Sequence, residues 1–316
     1  MRRIFYFFIF LVTGCEEMVE VNIKETHEPG LVVSTYLNPS EKSSVYVTYT
    51  HPAYTAFAPV VDDVSVIIEC TNSESAFNLF PSSQNGRTTF SSDELTFKEG
   101  GIYKLSVESL KKNKSAQATD TIPYAASMHN VSIQPVKKDS PYQVSISINP
   151  SSENSENSFY EIAVYLAEIW DLRQDTGFYE KPMPLISYNP IITREDYYPD
   201  LMLIGSRDPE TLLFRMQGSA GTGKIDFQYQ TSIAHHPLTG YRFPEHYVKV
   251  ELRTVSRAYF NYKTSLYKQI NAVEGDFLYG IAPPVTVNSN ITGGYGVFAG
   301  YSKTDTIIHL PARTIE

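Results

Sequence analysis

The sequence predicts an all-β protein with one amphipathic helix: an N-terminal β-sandwich of the immunoglobulin or transthyretin-like kind, followed by a larger β-rich part. Three observations lead to this prediction. Segments that alternate between apolar and polar residues recur about every ten to fifteen residues. Turn-forming pairs such as Asn85-Gly86 separate several of them. Only the segment after Ser256 has a helical period.

The first predicted part covers residues 30–124. Its strand segments are LVVSTYL, VYVTYT, VDDVSVIIEC and IYKLSVES, and ATDTIP closes the unit. β-Branched and aromatic residues dominate these segments, as they do in strands. Short strands at this spacing, with turns between them, are typical of a β-sandwich.

The second predicted part covers residues 125–316. Strands are expected in VSIQPV, YQVSISINP, IDFQYQTS, YVKVELRTV and TDTIIHL. The period of FYEIAVYLAEIW is ambiguous, but its aromatic and β-branched residues favour a buried strand. Residues 171–224 are rich in Pro, Tyr and Asp and are expected to form loops.

A helix is predicted near residues 256–271, in SRAYFNYKTSLYKQIN. Tyr259, Tyr262, Leu266 and Ile270 follow one another at spacings of three, four and four, which places them on one helix face. Ser256 is the expected N-cap.

A glycine cluster, GGYGVFAGYS, follows the helix at residues 293–302. Glycine permits positive φ and close backbone approach, so structural packing explains the cluster better than ligand contact does.

The first fourteen residues have the form of a secretory signal peptide. In MRRIFYFFIFLVTGC, two arginines precede a short apolar run, which small residues and Cys15 follow. VTGC resembles a bacterial lipobox, so Cys15 is expected to carry lipid and residues 15–29 to form a tether. The alternative is an ordinary secretory signal followed by an unmodified cysteine.

The amino-acid composition limits the kinds of molecule that the protein is expected to bind. The net charge is −9, and loss of the two leader arginines would make it more negative still. This charge argues against nucleic-acid binding, which needs clustered Lys and Arg. Cys70 is the only cysteine besides Cys15, so no internal disulfide is expected, and Cys70 is expected to be a small buried hydrophobe.

The sequence resembles an uncharacterised family of Bacteroidetes-type outer-membrane lipoproteins that carry a domain of unknown function. The residues that carry the resemblance are LVVSTYL, VDDVSVIIEC, GGIYKLSVES, the Tyr-rich SRAYFNYKTSLYKQ and the closing NSNITGGYGVFAGYS. The resemblance implies an outer-membrane location and a TonB-dependent receptor as a possible partner, since such receptors are often encoded beside these lipoproteins. Glu16-Glu17, directly after the expected lipidation site, favours the cell surface, with the periplasmic face as the alternative.

Metal and catalytic sites are not predicted. His235 and His236 are adjacent, so on a strand they would point to opposite faces, and a polar loop explains them better than a metal site. The acidic residues of the centre are better explained as solvated loops than as a glycoside-hydrolysing pair. These residues are Asp171, Asp175, Glu195, Asp196 and Asp200. Residues 218–224 resemble a phosphate loop, but Ile225 occupies the position of the Mg²⁺-binding hydroxyl.

Binding residues are sought among the aromatics, because the chain has 23 Tyr and a single Trp. Tyr combines an apolar face with a polar tip, which suits a wet recognition surface. The candidates are Trp170, Tyr179, Tyr197 and Tyr198, and ordinary strand composition is the alternative explanation.

The functional expectation is therefore a non-enzymatic, lipid-anchored binding protein without a cofactor. It would serve as an accessory subunit of a TonB-dependent receptor in the uptake of nutrients or metal chelates. Two alternatives stay open: a surface hydrolase acting on glycan or peptide, and a structural or adhesive surface protein.

Overall fold

The computed structural model describes a chain built mostly of strands, with one helix in the described part. The described residues are 28–51, 61, 63–73, 75–84, 87–109, 111–135, 142–151, 157–172, 175–182, 185–187, 211–217, 223–229, 242–243, 246–279, 285–310 and 313–314. The predicted all-β class with a single amphipathic helix is confirmed.

The first seven strands belong to the N-terminal sandwich. They are β1 (Leu31–Leu37), β2 (Val45–Tyr49), β3 (Val64–Cys70), β4 (Ser75–Gln84), β5 (Arg87–Ser91), β6 (Ile102–Ser109) and β7 (Lys114–Thr121). β4 and β5 pair antiparallel up to Gln84 and Arg87, so the predicted hairpin is confirmed. In β1 every second side chain is buried, as its alternating sequence indicates.

The remaining elements follow in chain order. They are β8 (Ser127–Pro135), β9 (Tyr142–Asn149), β10 (Asn157–Leu172), β11 (Asp175–Pro182), β12 (Leu185–Ser187), β13 (Thr211–Gln217), β14 (Gly223–Tyr229), β15 (Arg242–Phe243), β16 (His246–Val255), α1 (Arg257–Tyr279), β17 (Gly294–Leu310) and β18 (Arg313–Thr314). No described helix combines the length and apolar character needed to cross a bilayer.

The prediction of loops throughout residues 171–224 is wrong for three segments, because β11, β12 and β13 lie there. β11 is the edge strand beside β10, and an edge strand can be polar and lack an apolar period. β13 has the opposite character: Leu212 and Leu213 are both buried, one on each face, so the segment shows no alternation.

One twelve-stranded sheet joins the N-terminal and C-terminal parts of the chain. Its order is β11-β10-β16-β17-β1-β2-β5-β4-β3-β6-β7, with β13 also paired to β10. β1 pairs parallel with β17, so Leu31 lies opposite Gly294 and Leu37 opposite Gly300. The first described strand is therefore an interior strand of the sheet, paired with a segment some 260 residues later in the chain.

Glycine is required where β17 runs against β1. Gly296 has φ = 110°, and a Cβ there would lie 1.9 Å from the carbonyl oxygen of Val33. Gly293 also has positive φ, at 78°. The structural explanation of the glycine cluster is thus confirmed at these two positions.

Among the described residues, buried apolar side chains form three clusters. The first fills the N-terminal sandwich and includes Phe298 of β17. The second lies between the β10-β16 region and the four-stranded sheet β12-β14-β9-β8. The third lies on the opposite face, between α1 and strands β10, β13, β16 and β17. The strands next to α1 are therefore covered on both faces.

Candidate binding site

The sheet face that α1 covers carries a row of charged side chains. In the strand register, Glu161 of β10 lies opposite Arg253 of β16, which lies opposite Lys303 of β17. Side chains alternate between the two faces of a strand, so these three residues share the α1 face, whereas Ile162 and Leu252 point into the second apolar cluster. A row of one carboxylate and two cationic side chains thus crosses three strands beneath the helix.

Glu161 lies at the β10 end of this row and is fully buried. One carboxylate oxygen, Oε2, accepts hydrogen bonds from Arg253 Nη1 at 2.8 Å and from the Tyr259 hydroxyl at 2.6 Å. The other, Oε1, accepts from Lys263 Nζ at 2.7 Å and from Thr211 Oγ1 at 2.9 Å. Four donors from three further elements therefore converge on one carboxylate.

The charges around Glu161 keep it ionised. Burial alone would raise the pKa of its carboxyl, but the positive charges of Lys263 and Arg253, with hydrogen bonds from Lys263 and Tyr259, lower the pKa to about 2. Because both oxygens already hold protein donors, the carboxylate is poorly suited to take a proton from a substrate.

Arg253 connects Glu161 to a second buried carboxylate. Its Nε donates to Glu251 Oε1 at 2.7 Å, and its Nη2 donates to the Tyr165 hydroxyl at 3.1 Å. Burial would lower the pKa of the Arg253 guanidinium, but Glu161, Tyr259 and Glu251 raise it above its ordinary value. The guanidinium is thus a permanent positive charge with its hydrogen-bonding directions fixed by the protein.

The outer rim of the row is formed by Lys303 and Glu41. Lys303 Nζ pairs with Glu41 Oε1 and lies 3.9 Å from Glu251 Oε2, and the Tyr301 hydroxyl donates to Glu41 Oε2 at 3.1 Å. The Lys303 hydrogen bond, opposed by burial, lowers the pKa of Glu41. These contacts extend the charged row to the loop that follows β1.

Tyrosine rings fill the space between α1 and the charged row. The Tyr36 and Tyr259 rings lie with centroids 4.9 Å apart, and Lys263 Nζ lies 4.8 Å from the centre of the Tyr259 ring. Burial, and then the nearby Tyr262 and Glu161, raise the pKa of Tyr36. These hydroxyls therefore remain protonated donors at neutral pH.

A second polar junction lies at the start of α1. Ser256 is the N-cap, as predicted, and its Oγ accepts a hydrogen bond from Tyr259 N–H at 3.2 Å. Ser256 N–H donates to the Gly300 carbonyl at 2.9 Å, while Gly300 N–H donates to Asp120 Oδ2 at 2.7 Å. The edge strand β7, the strand β17 and the helix start are thereby linked through one residue, Gly300.

Asp120 is held in a desolvated position at this junction. Burial raises the pKa of its carboxyl to about 6, although hydrogen bonds from Ser256, Gly300 and Thr121 partly oppose the rise. Its ionised form is thus less favourable than in water, and an additional hydrogen-bond donor would stabilise it.

A cleft of about 510 Å³ opens beside this junction. The sandwich contributes Ile102, Asp120 and Tyr124 to its walls, and the second part contributes Phe159 and Arg257. Pockets of this size, between two packed units and with a few convergent polar groups, are typical places for small ligands.

None of the four aromatic residues predicted as binding candidates is among the described residues that line this cleft. Trp170 and Tyr179 lie in paired strands, with Trp170 opposite Gly177 and Tyr179 opposite Glu168, so the strand predicted for Trp170 is confirmed and the loop predicted for Tyr179 is wrong. Their side chains, and the whole of Tyr197 and Tyr198, lie outside the described residues. Cys15, His235 and His236 also lie outside them.

Two further sequence candidates are placed only in part. Asp171 and Asp175 lie at the ends of β10 and β11, where the two strands reverse direction. Among the residues with described side chains, no group of three or more His, Cys, Asp or Glu is arranged to hold a metal ion.

Sequence reasoning did not single out Glu161, Arg253 or Asp120. A signal was present for Glu161, because it is a single carboxylate inside the apolar run of FYEIAVYL, where an ionised group needs a partner. The partner was not visible, because Arg253 is 92 residues away and alternation does not reveal which strands pair.

In the described residues the fold is β-rich with one helix, and both the charged row and the cleft lie beside the N-terminal half of that helix. The chain belongs to the family described as DUF4249, a domain of unknown function, whose model matches residues 16–307. No curated protein matches the chain.

Two solved structures with weak similarity are noted for completeness. Chicken CNTN1 FN1-FN3 domains share 9% identity with a TM-score of 0.25, and the match covers 72% of this chain and 60% of that one. Trypsin-activated alpha-2-macroglobulin from Escherichia coli shares 9% identity with a TM-score of 0.21, and the match covers 72% of this chain and 14% of that one. Similarity this low carries no inference about fold or function.

Proposed function

We propose that this chain is a lipid-anchored outer-membrane protein that acts by binding, as an accessory subunit of a TonB-dependent receptor in nutrient or metal-chelate uptake. The observation that carries the proposal is the leader MRRIFYFFIFLVTGC, whose Cys15 directly precedes the first residue matched by the family model. The β-rich family domain would then begin immediately behind the lipid.

The number of residues between Cys15 and β1 is enough for a tether. Fifteen residues separate Cys15 from Leu31, the first residue of β1, and an extended chain of this length spans at most about 50 Å. β1 lies in the interior of the sheet between β17 and β2, so a pull on the tether would act on a strand that is paired on both sides.

A binding role also agrees with the chemistry of the charged row. Both oxygens of Glu161 are occupied by protein donors, and Arg253 and Lys263 are directed at carboxylates of the chain itself. Such an arrangement fixes α1 on the sheet, and a fixed scaffold beside the cleft lowers the ordering cost of binding there.

The proposal is tested by crosslinking in intact outer membrane, followed by purification of the chain through a C-terminal tag. The expected result is co-purification of a TonB-dependent receptor with the wild-type chain, and its loss with Cys15→Ala. Cys70→Ala is the matched control, because Cys70 is the other cysteine and lies in β3.

Lipidation is measured separately by incorporation of radiolabelled palmitate. The wild-type chain and Cys70→Ala should take up label, and Cys15→Ala should not. Absence of label in the wild-type chain would contradict the anchor, and a labelled chain that brings no receptor with it would contradict the partnership.

A further inference from the structure

The cleft between the sandwich and the start of α1 combines two exposed apolar side chains with buried polar groups. Ile102 and Tyr124 are each 37% exposed, and Phe159 is half-buried on the opposite side. Ile102 and Tyr124 therefore leave apolar surface in contact with water, and a ligand with an apolar face would cover it.

The polar side of the cleft offers both an acceptor and a donor. Asp120 already accepts from Gly300, Ser256 and Thr121, and a carboxylate has about four acceptor positions, so roughly one remains. The Thr254 hydroxyl, which lines the cleft, accepts from Ala126 N–H at 2.9 Å, and a hydroxyl that accepts in this way still carries one proton that it can donate. Hydroxyl groups of a ligand can serve as partners for both.

The charges of the cleft favour a neutral ligand. Its described walls hold one carboxylate, Asp120, and one guanidinium, Arg257, which lies 5.9 Å from the centre of the Phe159 ring. A cationic ligand would meet Arg257 and the positive end of α1, and an anionic ligand would meet Asp120. A charged ligand of either sign would lose its hydration on binding, and the cleft would not supply enough hydrogen-bond partners to replace the lost water.

From these observations we infer that the cleft binds a neutral, polyhydroxylated small molecule with one apolar face, the chemistry of a sugar ring. Ring C–H groups would pack on Tyr124 and Phe159, and ring hydroxyls would bond to Asp120 and Thr254. This inference rests on the binding role proposed above, but not on the receptor partnership.

The charge argument is tested by calorimetric titration of the purified full chain in detergent. The neutral probes are D-glucose, D-galactose and N-acetyl-D-glucosamine, and the charged probes are D-glucosamine and D-glucuronate. At least one neutral sugar should bind saturably, and about tenfold or more tighter than either charged probe, since tenfold corresponds to about 1.4 kcal/mol.

Variants test the location. Tyr124→Ala should weaken binding of the best neutral sugar by about tenfold, because it removes an aromatic wall of the cleft. Tyr295→Ala is the matched control, since Tyr295 is 56% exposed and does not line the cleft, and it should leave the affinity unchanged. Arg257→Gln should improve binding of D-glucosamine relative to the neutral sugar.

Three results would overturn the inference. They are no saturable binding of any neutral probe, equal or tighter binding of a charged probe, and unchanged affinity in Tyr124→Ala. Because the titration contains no receptor, a failure here leaves the co-purification result standing, and a failed co-purification leaves the titration result standing.

Discussion

The hydroxyl of Tyr259 donates a hydrogen bond of 2.6 Å to Oε2 of the fully buried Glu161, and this contact attaches α1 to β10. Burial and the negative charge of Glu161 raise the pKa of Tyr259 well above its ordinary value, so it stays a donor. Lys263, one turn later, donates to the other oxygen of Glu161. The N-terminal half of the helix is therefore positioned by polar contacts as well as by apolar packing.

Glu161→Gln should destabilise the protein strongly. The neutral amide leaves Arg253 and Lys263 without their shared counter-charge, and breaking a buried ion pair from one side costs about 3–5 kcal/mol. The free energy of unfolding, measured by urea denaturation at neutral pH, should fall by this amount.

Glu108→Gln is the control for that loss, because Glu108 is an exposed carboxylate in β6. An exposed substitution of this kind changes stability by about 0.5 kcal/mol or less. Equal effects of the two substitutions would show that the charged row does not hold the helix.

Ser256→Ala should shorten or loosen the start of α1. The variant removes the oxygen that accepts from Tyr259 N–H, and loss of an N-cap costs about 1 kcal/mol. Ser256→Thr keeps a capping hydroxyl and should retain most of the stability. Hydrogen exchange at the first turn of α1 is the measurement, and faster exchange in both variants alike would contradict the capping role.

The local pattern of apolar and polar residues was enough to predict β1, β2, β3 and β6 of the sandwich by alternation, and the start of α1 by its helical period and serine N-cap. It was enough because the period of burial depends only on the local backbone: every second residue of β1 is buried, and Ser256 begins the helix. The helix face was predicted less well, since Ile270 is 43% exposed, whereas Phe260, outside the predicted face, is buried.

Pairing between distant strands could not be predicted in this way. The parallel register of Leu31 with Gly294, and the contact of Glu161 with Arg253, depend on which strands are neighbours in the sheet. Many partners satisfy the same alternation, so only the assembled sheet reveals the charged row and the cleft.

Gly296→Ala should be among the most damaging single substitutions in the chain. The backbone there has φ = 110°, and the added Cβ would lie 1.9 Å from the Val33 carbonyl oxygen, so β17 and β1 would have to separate locally. Backbone strain together with this clash should cost at least about 3 kcal/mol. Thermal unfolding is the measurement.

Tyr295→Ala, one residue earlier in the same strand, is the comparison for Gly296→Ala, because its exposed ring can be removed without a backbone clash. It should shift the melting temperature far less. Similar decreases in melting temperature for both variants would show that β17 is sensitive to any substitution in this region. The close approach of the β17 and β1 backbones would then not be the cause.

Asp120 should make stability fall as the pH rises through its titration range. Burial raises its pKa from 3.8 to about 6, so the folded state binds the proton more tightly than the unfolded state, and the stabilising contribution present below about pH 4 is lost by about pH 6. A shift of this size corresponds to at most about 3 kcal/mol. Asp120→Asn does not titrate, so its free energy of unfolding, relative to wild type, should increase between pH 4 and pH 7. Urea unfolding of both chains at several pH values measures this difference, and a constant difference across the range would show that Asp120 is not desolvated at the junction with Gly300 and Ser256.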